Sequence, residues 1–275
     1  MEDRYDKRKE GYAKRRDFSE TKYSREIKER VAPSDVIFGV HAVLEAIKAE
    51  KTINRIVIQK GIKKEFFDEL QQGLKGKEYQ LQFVPVEKLD AVTTSNHQGV
   101  IAYISPVEYY DAKTLVDELL EHGVKPNILV LDRLTDVRNF GAIARTAECM
   151  GVDAVLIPSK GSVTITPDAV KTSAGALNTI KVCKENNMLD TVYYLQQSGL
   201  RIVACTEKTM VPLREANLRG GTVIIMGSED TGISDELLKL ADVRAKIQMM
   251  GTIESMNVGV ATGIVLYEKF RQMNE

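Results

Sequence analysis

The sequence has only three cysteines, Cys149, Cys183 and Cys205, far apart and with no CxxC spacing. That excludes a disulfide framework and gives no zinc signature, so all three are expected as small buried or half-buried residues and no metal is expected. No stretch approaches the roughly 18 uninterrupted apolar residues of a membrane span, and the N-terminus is charged where a signal peptide has an apolar core. A cytosolic, membrane-free protein is the expectation. No GxGxxG follows a strand-like run and no lysine follows a glycine-rich loop, so the common dinucleotide and nucleoside triphosphate fingerprints are missing. Any nucleotide-like cofactor must be held in another way.

What is present is ordinary in bulk and uneven in detail. The 275 residues suffice for two domains, and 43% hydrophobic with 28% charged residues fits a globular chain. The net charge of −1 hides a basic start. Residues 1–34 carry eleven Lys/Arg against eight Asp/Glu without apolar periodicity, the composition of a disordered tail. Tyr5, Tyr12, Phe18 and Tyr23 are interleaved with its basic residues, a mixture that suits RNA backbone contact and base stacking as well as a plain solvated linker.

Periodicity divides the remainder into a small α/β domain at 35–107, a charged helical connection at 108–126 and a larger domain at 127–275. In the small domain, order is expected to begin near Asp35, with 36–39 leading into the first helix; strands are expected near 55–59, 81–85 and 99–105, with helices near 41–47, 63–74 and 86–92. The polar loop Ser95-Asn96-His97-Gln98-Gly99 could touch a nucleotide, although a lone histidine in such a loop is more often incidental. In the larger domain, apolar runs at 128–132, 154–158, 201–206, 222–227 and 244–249 alternate with helical stretches. Unbroken apolar strands separated by helices make a parallel sheet covered on both faces. Ligands then bind at the carboxyl ends of the strands, which directs attention to the loops after Leu131, Cys205, Met226 and Gln248.

Those loops hold the unusual residues. Asp136-Val137-Arg138-Asn139-Phe140-Gly141 follows the first run, with Asn139 expected to cap a helix that carries Arg145. Gly227-Ser228-Glu229-Asp230-Thr231-Gly232 follows the fourth, and Ser255-Met256-Asn257 leads into the last helix, where the bland reading is a helix N-cap.

Taken in order, these segments resemble the three motifs of the SpoU (TrmH-type) branch of the SPOUT RNA methyltransferases. The first is Asp136 to Gly141 followed by Arg145-Thr146-Ala147; the second is Met226-Gly227-Ser228-Glu229 with Gly232; the third runs from Ile247-Gln248-Met249 to Ser255-Met256-Asn257. Lys171-Thr172-Ser173-Ala174-Gly175-Ala176 adds a further family-like run, and residues 36–107 resemble the ribosomal-protein-like RNA-binding domain of the ribosomal 2′-O-methyltransferase subgroup. Three positions depart from the pattern: Val137 and Gln248 stand where proline is usual and Met256 where leucine is usual. None removes a reactive group.

The resemblance implies an α/β SPOUT domain with a C-terminal trefoil knot behind a small RNA-binding domain. It implies methyl transfer from S-adenosylmethionine to a ribose 2′-hydroxyl, in a guanosine of 23S rRNA, by a homodimer. It places Gly227, Ile247 and Met256 on the cofactor, and Asn139, Arg145, Glu229, Ser255 and Asn257 around the reacting ribose. Arg145 is then the family's proposed base, yet a guanidinium is almost always protonated, so anchoring the target phosphate and stabilising charge on the oxygen is the alternative role. The final helix, through Val258, Ala261, Ile264, Val265 and residues 267–270, offers an apolar face for a partner or for its own subunit. A tRNA ribose 2′-O-methyltransferase and a catalytically silent RNA-binding or ribosome-assembly protein are the competing readings.

Overall fold

The computed structural model describes residues 33–76, 79–253 and 255–275. The expected basic tail therefore lies outside the described residues, apart from its last two positions.

The first domain comprises β1 (Val36–Phe38), α1 (Val40–Lys48), β2 (Ile53–Gln59), α2 (Lys64–Leu74), β3 (Leu81–Val84), α3 (Val86–Asp90) and β4 (Val100–Ile104). Its four-stranded sheet runs β1-β4-β2-β3, with β1 and β2 antiparallel to β4 and β3 parallel to β2. On α1, Val40, Val43, Leu44 and Ile47 repeat at helical spacing, and all four are buried against Ile56, Ile58, Leu70 and Val100. The other face of the sheet is closed by Leu89 of α3 against Val57 and Ile101.

The loop that could touch a nucleotide is largely spent on this domain. Gln98 Oε1 accepts the Val40 N–H at 3.0 Å, capping α1 where Gly39 has no side chain to do so. His97 is buried; its Nδ1 accepts the Gly99 N–H at 3.0 Å, so the proton resides on Nε2, which donates to Asp90 at 2.9 Å. The imidazole is a cross-link between loop and α3, and only Ser95 and Asn96 are left on the surface.

The second domain begins earlier than its apolar strands suggest. The stretch expected as a connection contains β5 (Tyr109–Tyr110), which adds to the edge of the large sheet, and α4 (Ala112–Glu121), whose Leu115 and Val116 are core residues. There follow β6 (Asn127–Leu131), α5 (Val137–Cys149), β7 (Ala154–Pro158), α6 (Pro167–Thr172), β8 (Lys181–Glu185), α7 (Met188–Gln197), β9 (Arg201–Cys205), β10 (Thr222–Met226), α8 (Asp235–Leu240), β11 (Val243–Ala245) and α9 (Val258–Asn274). Every pairing in the seven-stranded order β11-β9-β10-β6-β7-β8-β5 is parallel. The pleat of β6 shows why its run is unbroken: Leu129 and Leu131 enter the core under α5, α6 and α9, and Ile128 and Val130 the core under α4, α7 and α8.

The chain winds from β6 outward through β7 to β8, then returns to β9 on the far side of β10 and ends at β11. The border between β6 and β10 is therefore the point where the winding reverses, and the carboxyl ends of strands at such a point are where parallel sheets form a ligand crevice. The run expected as a strand at 244–249 leaves the sheet after Ala245, so Gln248 and Met249 belong to an exposed loop. Residues 206–221, between β9 and β10, are bonded to α9: Lys269 Nζ donates to the carbonyls of Leu218 and Gly220 at 3.0 Å each, and Gln272 pairs with Ala216 O and Leu218 N. Burial pushes the Lys269 ammonium down to about 8.

The cysteines divide. Cys183 is buried and Cys205 half-buried, as expected, and burial pushes both thiols up to about 12. Cys149 is exposed, because it falls on the outer side of α5.

Candidate active site at the β6/β10 crevice

Two helix N-termini and one glycine loop meet at the crevice. Helix α5 is capped by Asp136, whose Oδ1 accepts the Asn139 N–H at 2.6 Å, and not by Asn139 as expected. The cap must sit in extended backbone before the first turn, and Asp136, with φ −77° and ψ 119°, is the residue that does. Asn139, three residues on, is thereby left with its side chain available. At α9 the expected cap is confirmed and narrowed to one residue: Asn257 Oδ1 accepts from Gly259 N at 3.0 Å and Val260 N at 3.3 Å.

Between them stands Glu229, delivered by the loop after β10. Its Oε1 accepts from Asn257 Nδ2 at 2.9 Å, Val258 N at 3.1 Å and Asn139 Nδ2 at 3.3 Å, while Asn257 Nδ2 also donates to Asn139 Oδ1 at 3.0 Å. A carboxylate can only accept, so both amides must turn their NH2 groups toward it. Its position at the start of α9 also places negative charge on unpaired helical N–H groups.

Valence counting separates the three residues. Asn257 uses both amide protons and both lone pairs of its oxygen within the protein. Asn139 keeps one N–H and one lone pair of Oδ1, and Glu229 keeps Oε2, which has no partner among the described residues. The cluster thus offers a ligand one donor, one amide lone pair and one carboxylate oxygen, held in place by a saturated amide.

The loop that carries Glu229 folds back on itself. A Cβ on Gly227 would lie 2.1 Å from the carbonyl carbon of Gly232 and 2.4 Å from Ile233 N, so only glycine fits. Ser228 O accepts from Gly232 N, and its hydroxyl meets Thr231 Oγ1 at 2.8 Å. From the β6 side, Asp132 accepts the Ser234 N–H at 2.7 Å and Arg133 donates to Gly232 O at 3.2 Å. Asp132 and Arg133 are not among the site residues expected from the sequence, and Asp136 enters there only as the first residue of a motif. The Asp136-x-x-Asn139 spacing is a readable cap signal, whereas the positive φ of Arg133, 58°, has no signature in the sequence.

The remaining expected residues are placed less tightly. Ile247 is half-buried against the core beneath α5 and α9, Met256 is half-buried, and Ser255 is exposed. Arg145 lies on α5 six residues beyond Asn139, exposed, its side chain without a hydrogen bond or ion pair among the described residues. A single chain therefore joins Asn139, Glu229 and Asn257 and leaves Arg145 outside their hydrogen-bond network. Among the described residues no group of His, Cys, Asp and Glu could hold a metal ion, and no helix is long and apolar enough to cross a membrane.

Comparison with known proteins identifies the family. Residues 126–267 match the SpoU rRNA Methylase family, and residues 36–110 match the RNA 2′-O ribose methyltransferase substrate binding family. A protein of Staphylococcus saprophyticus, named for the TrmH family of tRNA/rRNA methyltransferases, is 38% identical over 239 residues, covering 87% of this chain and 96% of its own. Among solved structures, an RNA 2′-O ribose methyltransferase superposes with TM-score 0.51 at 25% identity, over 86% of this chain and 88% of its own. An AdoMet-bound rRNA methyltransferase from Sinorhizobium meliloti gives 0.55 at 23% identity, over 86% of each chain, and supports the fold. The chain belongs to the SpoU (TrmH-type) family of RNA methyltransferases.

Proposed function

We propose that this protein transfers a methyl group from S-adenosylmethionine to the 2′-hydroxyl of a guanosine in 23S rRNA. The observation that carries the reading is the Asn139–Glu229–Asn257 cluster: one residue from each of three distant motifs, hydrogen-bonded together at the switch point of a parallel sheet. The small domain ahead of the catalytic one supports the ribosomal subgroup over a tRNA enzyme, and the 25% identity to a protein named an RNA 2′-O ribose methyltransferase supports the ribose 2′-hydroxyl as acceptor.

The residues present suit the cofactor. The loop closed at Gly227 leaves backbone groups at the crevice, and Ile247 and Met256 retain apolar surface suited to an adenine. Bound S-adenosylmethionine supplies a methyl group activated by a positively charged sulfur. The protein must hold the ribose so that its 2′-oxygen lies in line with that methyl carbon, and positioning of this kind supplies much of the acceleration. Asn139 and Oε2 of Glu229 hold ribose hydroxyls; Asn257 fixes both and does not touch substrate. Ser255 adds a hydroxyl at the rim. Arg145 binds the target phosphate bidentately and stabilises charge on the 2′-oxygen as its proton passes to an oxygen of that phosphate and the methyl group takes its place.

An isolated Arg145 fits a site completed across a homodimer. The face expected on α9 divides: Val258 and Val265 are buried within the subunit, whereas Ile264, Tyr267 and Phe270 are exposed, and Val260, outside that expected set, is exposed with them. That unfilled stripe beside α5 suits a second copy. The hydrogen bonds that bind residues 216–220 to α9 are those expected where a C-terminal segment threads a trefoil knot. The test is incubation of the protein with labelled S-adenosylmethionine and unmodified 23S rRNA: label at one guanosine, resistant to alkaline cleavage, is expected. Binding without transfer would favour the silent RNA-binding protein, and transfer to tRNA alone the tRNA enzyme.

A further inference from the structure

A second polar concavity lies between the two domains, apart from the crevice. It has a volume of about 620 Å³, and Lys51, Asn54, Tyr79, Tyr109, Lys160 and Lys184 are among its walls. The domains are clasped at its floor: the buried Asn54 donates to Ile165 O at 2.9 Å and accepts from the Tyr109 hydroxyl at 2.7 Å. Among the described residues no aspartate or glutamate lines it, and none of its three lysines forms an ion pair. Glu50 stands near enough to help raise the Tyr79 hydroxyl, but contributes no wall.

Lys184 is the informative member. Half-buried at the end of β8, its ammonium lies 5.1 Å over the Tyr109 ring, and burial alone pulls its pKa down. The adjacent carboxylate, Glu185, points to the other face of the sheet, where it accepts from Thr191 at 2.7 Å. A cation withdrawn from water without a counter-ion costs stability, so its retention calls for an anion that arrives from outside. Lys160 follows β7 and Lys184 is the penultimate residue of β8, so both stand on the same carboxyl edge of the sheet as the loop after β6. At roughly 5 Å per strand, β8 is about 10 Å from β6 along that edge.

We propose that this interdomain cleft holds the single-stranded RNA backbone flanking the target nucleotide, with Lys51, Lys160 and Lys184 on phosphates and Tyr79 and Tyr109 beside the adjoining sugars or bases. The geometry supports a strand bridging the small domain and the crevice, since Lys51 comes from the first domain and the other two lysines from the second. The proposal rests on the RNA-methylating function proposed above and adds the path of the substrate.

The test is filter binding of unmodified 23S rRNA by the full chain and by the Lys51→Gln/Lys160→Gln/Lys184→Gln triple variant across a salt series. Loss of three single-strand phosphate contacts should raise Kd at least tenfold and reduce the log–log salt slope by about 2. Affinity for S-adenosylmethionine and the single-turnover rate at saturating RNA should stay within about twofold. Lys184→Met should melt above the parent chain and bind RNA less well, the reverse of what loss of a structural lysine would do. Weakened binding by the triple variant upholds the cleft even if the parent chain transfers no methyl, in which case only the methyl-transfer reading falls. Unchanged Kd and slope in the triple variant overturn the cleft while leaving methyl transfer standing, and a parent chain that fails to bind the RNA overturns both.

Discussion

Glu229 and Asn257, 28 residues apart in sequence, meet through a 2.9 Å hydrogen bond from the Asn257 amide to Glu229 Oε1. That oxygen also caps the first turn of α9 through Val258 N, so the geometry of the crevice and the start of the last helix are one structure. Replacing Glu229 by Gln keeps the shape, with the amide oxygen accepting where Oε1 does, but removes the negative charge and puts an NH2 group in place of Oε2. Methyl transfer should fall by about 100-fold, in line with the ~3 kcal/mol attached to hydrogen bonds with a charged group. Steady-state kinetics with a thermal melt check this; a variant with unchanged kcat would remove Glu229 from the site.

Gly227 is the position least able to change. In Gly227→Ala the added methyl meets backbone atoms of Gly232 and Ile233, which cannot rotate away as a side chain could. The loop must open, at a cost of about 1 to 3 kcal/mol, and Glu229 moves with it. Calorimetric titration should show S-adenosylmethionine affinity lost by tenfold or more, with α-helix content retained in circular dichroism.

Lys269 gives a pH signature. Its folded pKa, about 8, lies below the ordinary 10.5, so between these values the unfolded chain holds a proton that the folded chain has released. Stability must then rise with pH across that window. Cys183 and Cys205, raised from 9.0 to about 12, act in the opposite sense above pH 9, which leaves pH 8 to 9 as the clear interval. From pH 8 to 9 the protein should gain about 1 kcal/mol relative to Lys269→Met in urea titrations. Parallel curves for the two proteins would contradict a buried, depressed ammonium.

Arg145→Ala separates chemistry from cofactor binding. Because Arg145 is exposed and makes no contact that holds the fold, its removal should leave the melting temperature and S-adenosylmethionine affinity unchanged and reduce single-turnover transfer by at least 1,000-fold. If cofactor affinity fell instead, Arg145 would belong to the S-adenosylmethionine pocket.

Much of the scaffold was legible in the sequence for a simple reason: β6, β7 and β10 are almost fully buried on both faces, so they read as unbroken apolar runs. Strand β8, Lys181-Val182-Cys183-Lys184-Glu185, escaped because two of its outer residues are lysines, and β5 is only two residues long. The site was legible through its resemblance to a family more than through local chemistry. Asn139, Glu229 and Asn257 are three ordinary polar residues until the sheet order brings them together. Which side chain caps α5, and that Asn257 saturates its hydrogen bonds inside the protein, depend on backbone angles and on partners distant in sequence.

The most direct measurement is nucleotide-resolution mapping of 2′-O-methyl groups on rRNA and tRNA from cells with and without this protein. The account predicts one guanosine of 23S rRNA that loses its methyl group when the protein is absent and regains it with the parent chain but not with Arg145→Ala. An unchanged rRNA map, with or without a lost tRNA methyl group, would contradict it.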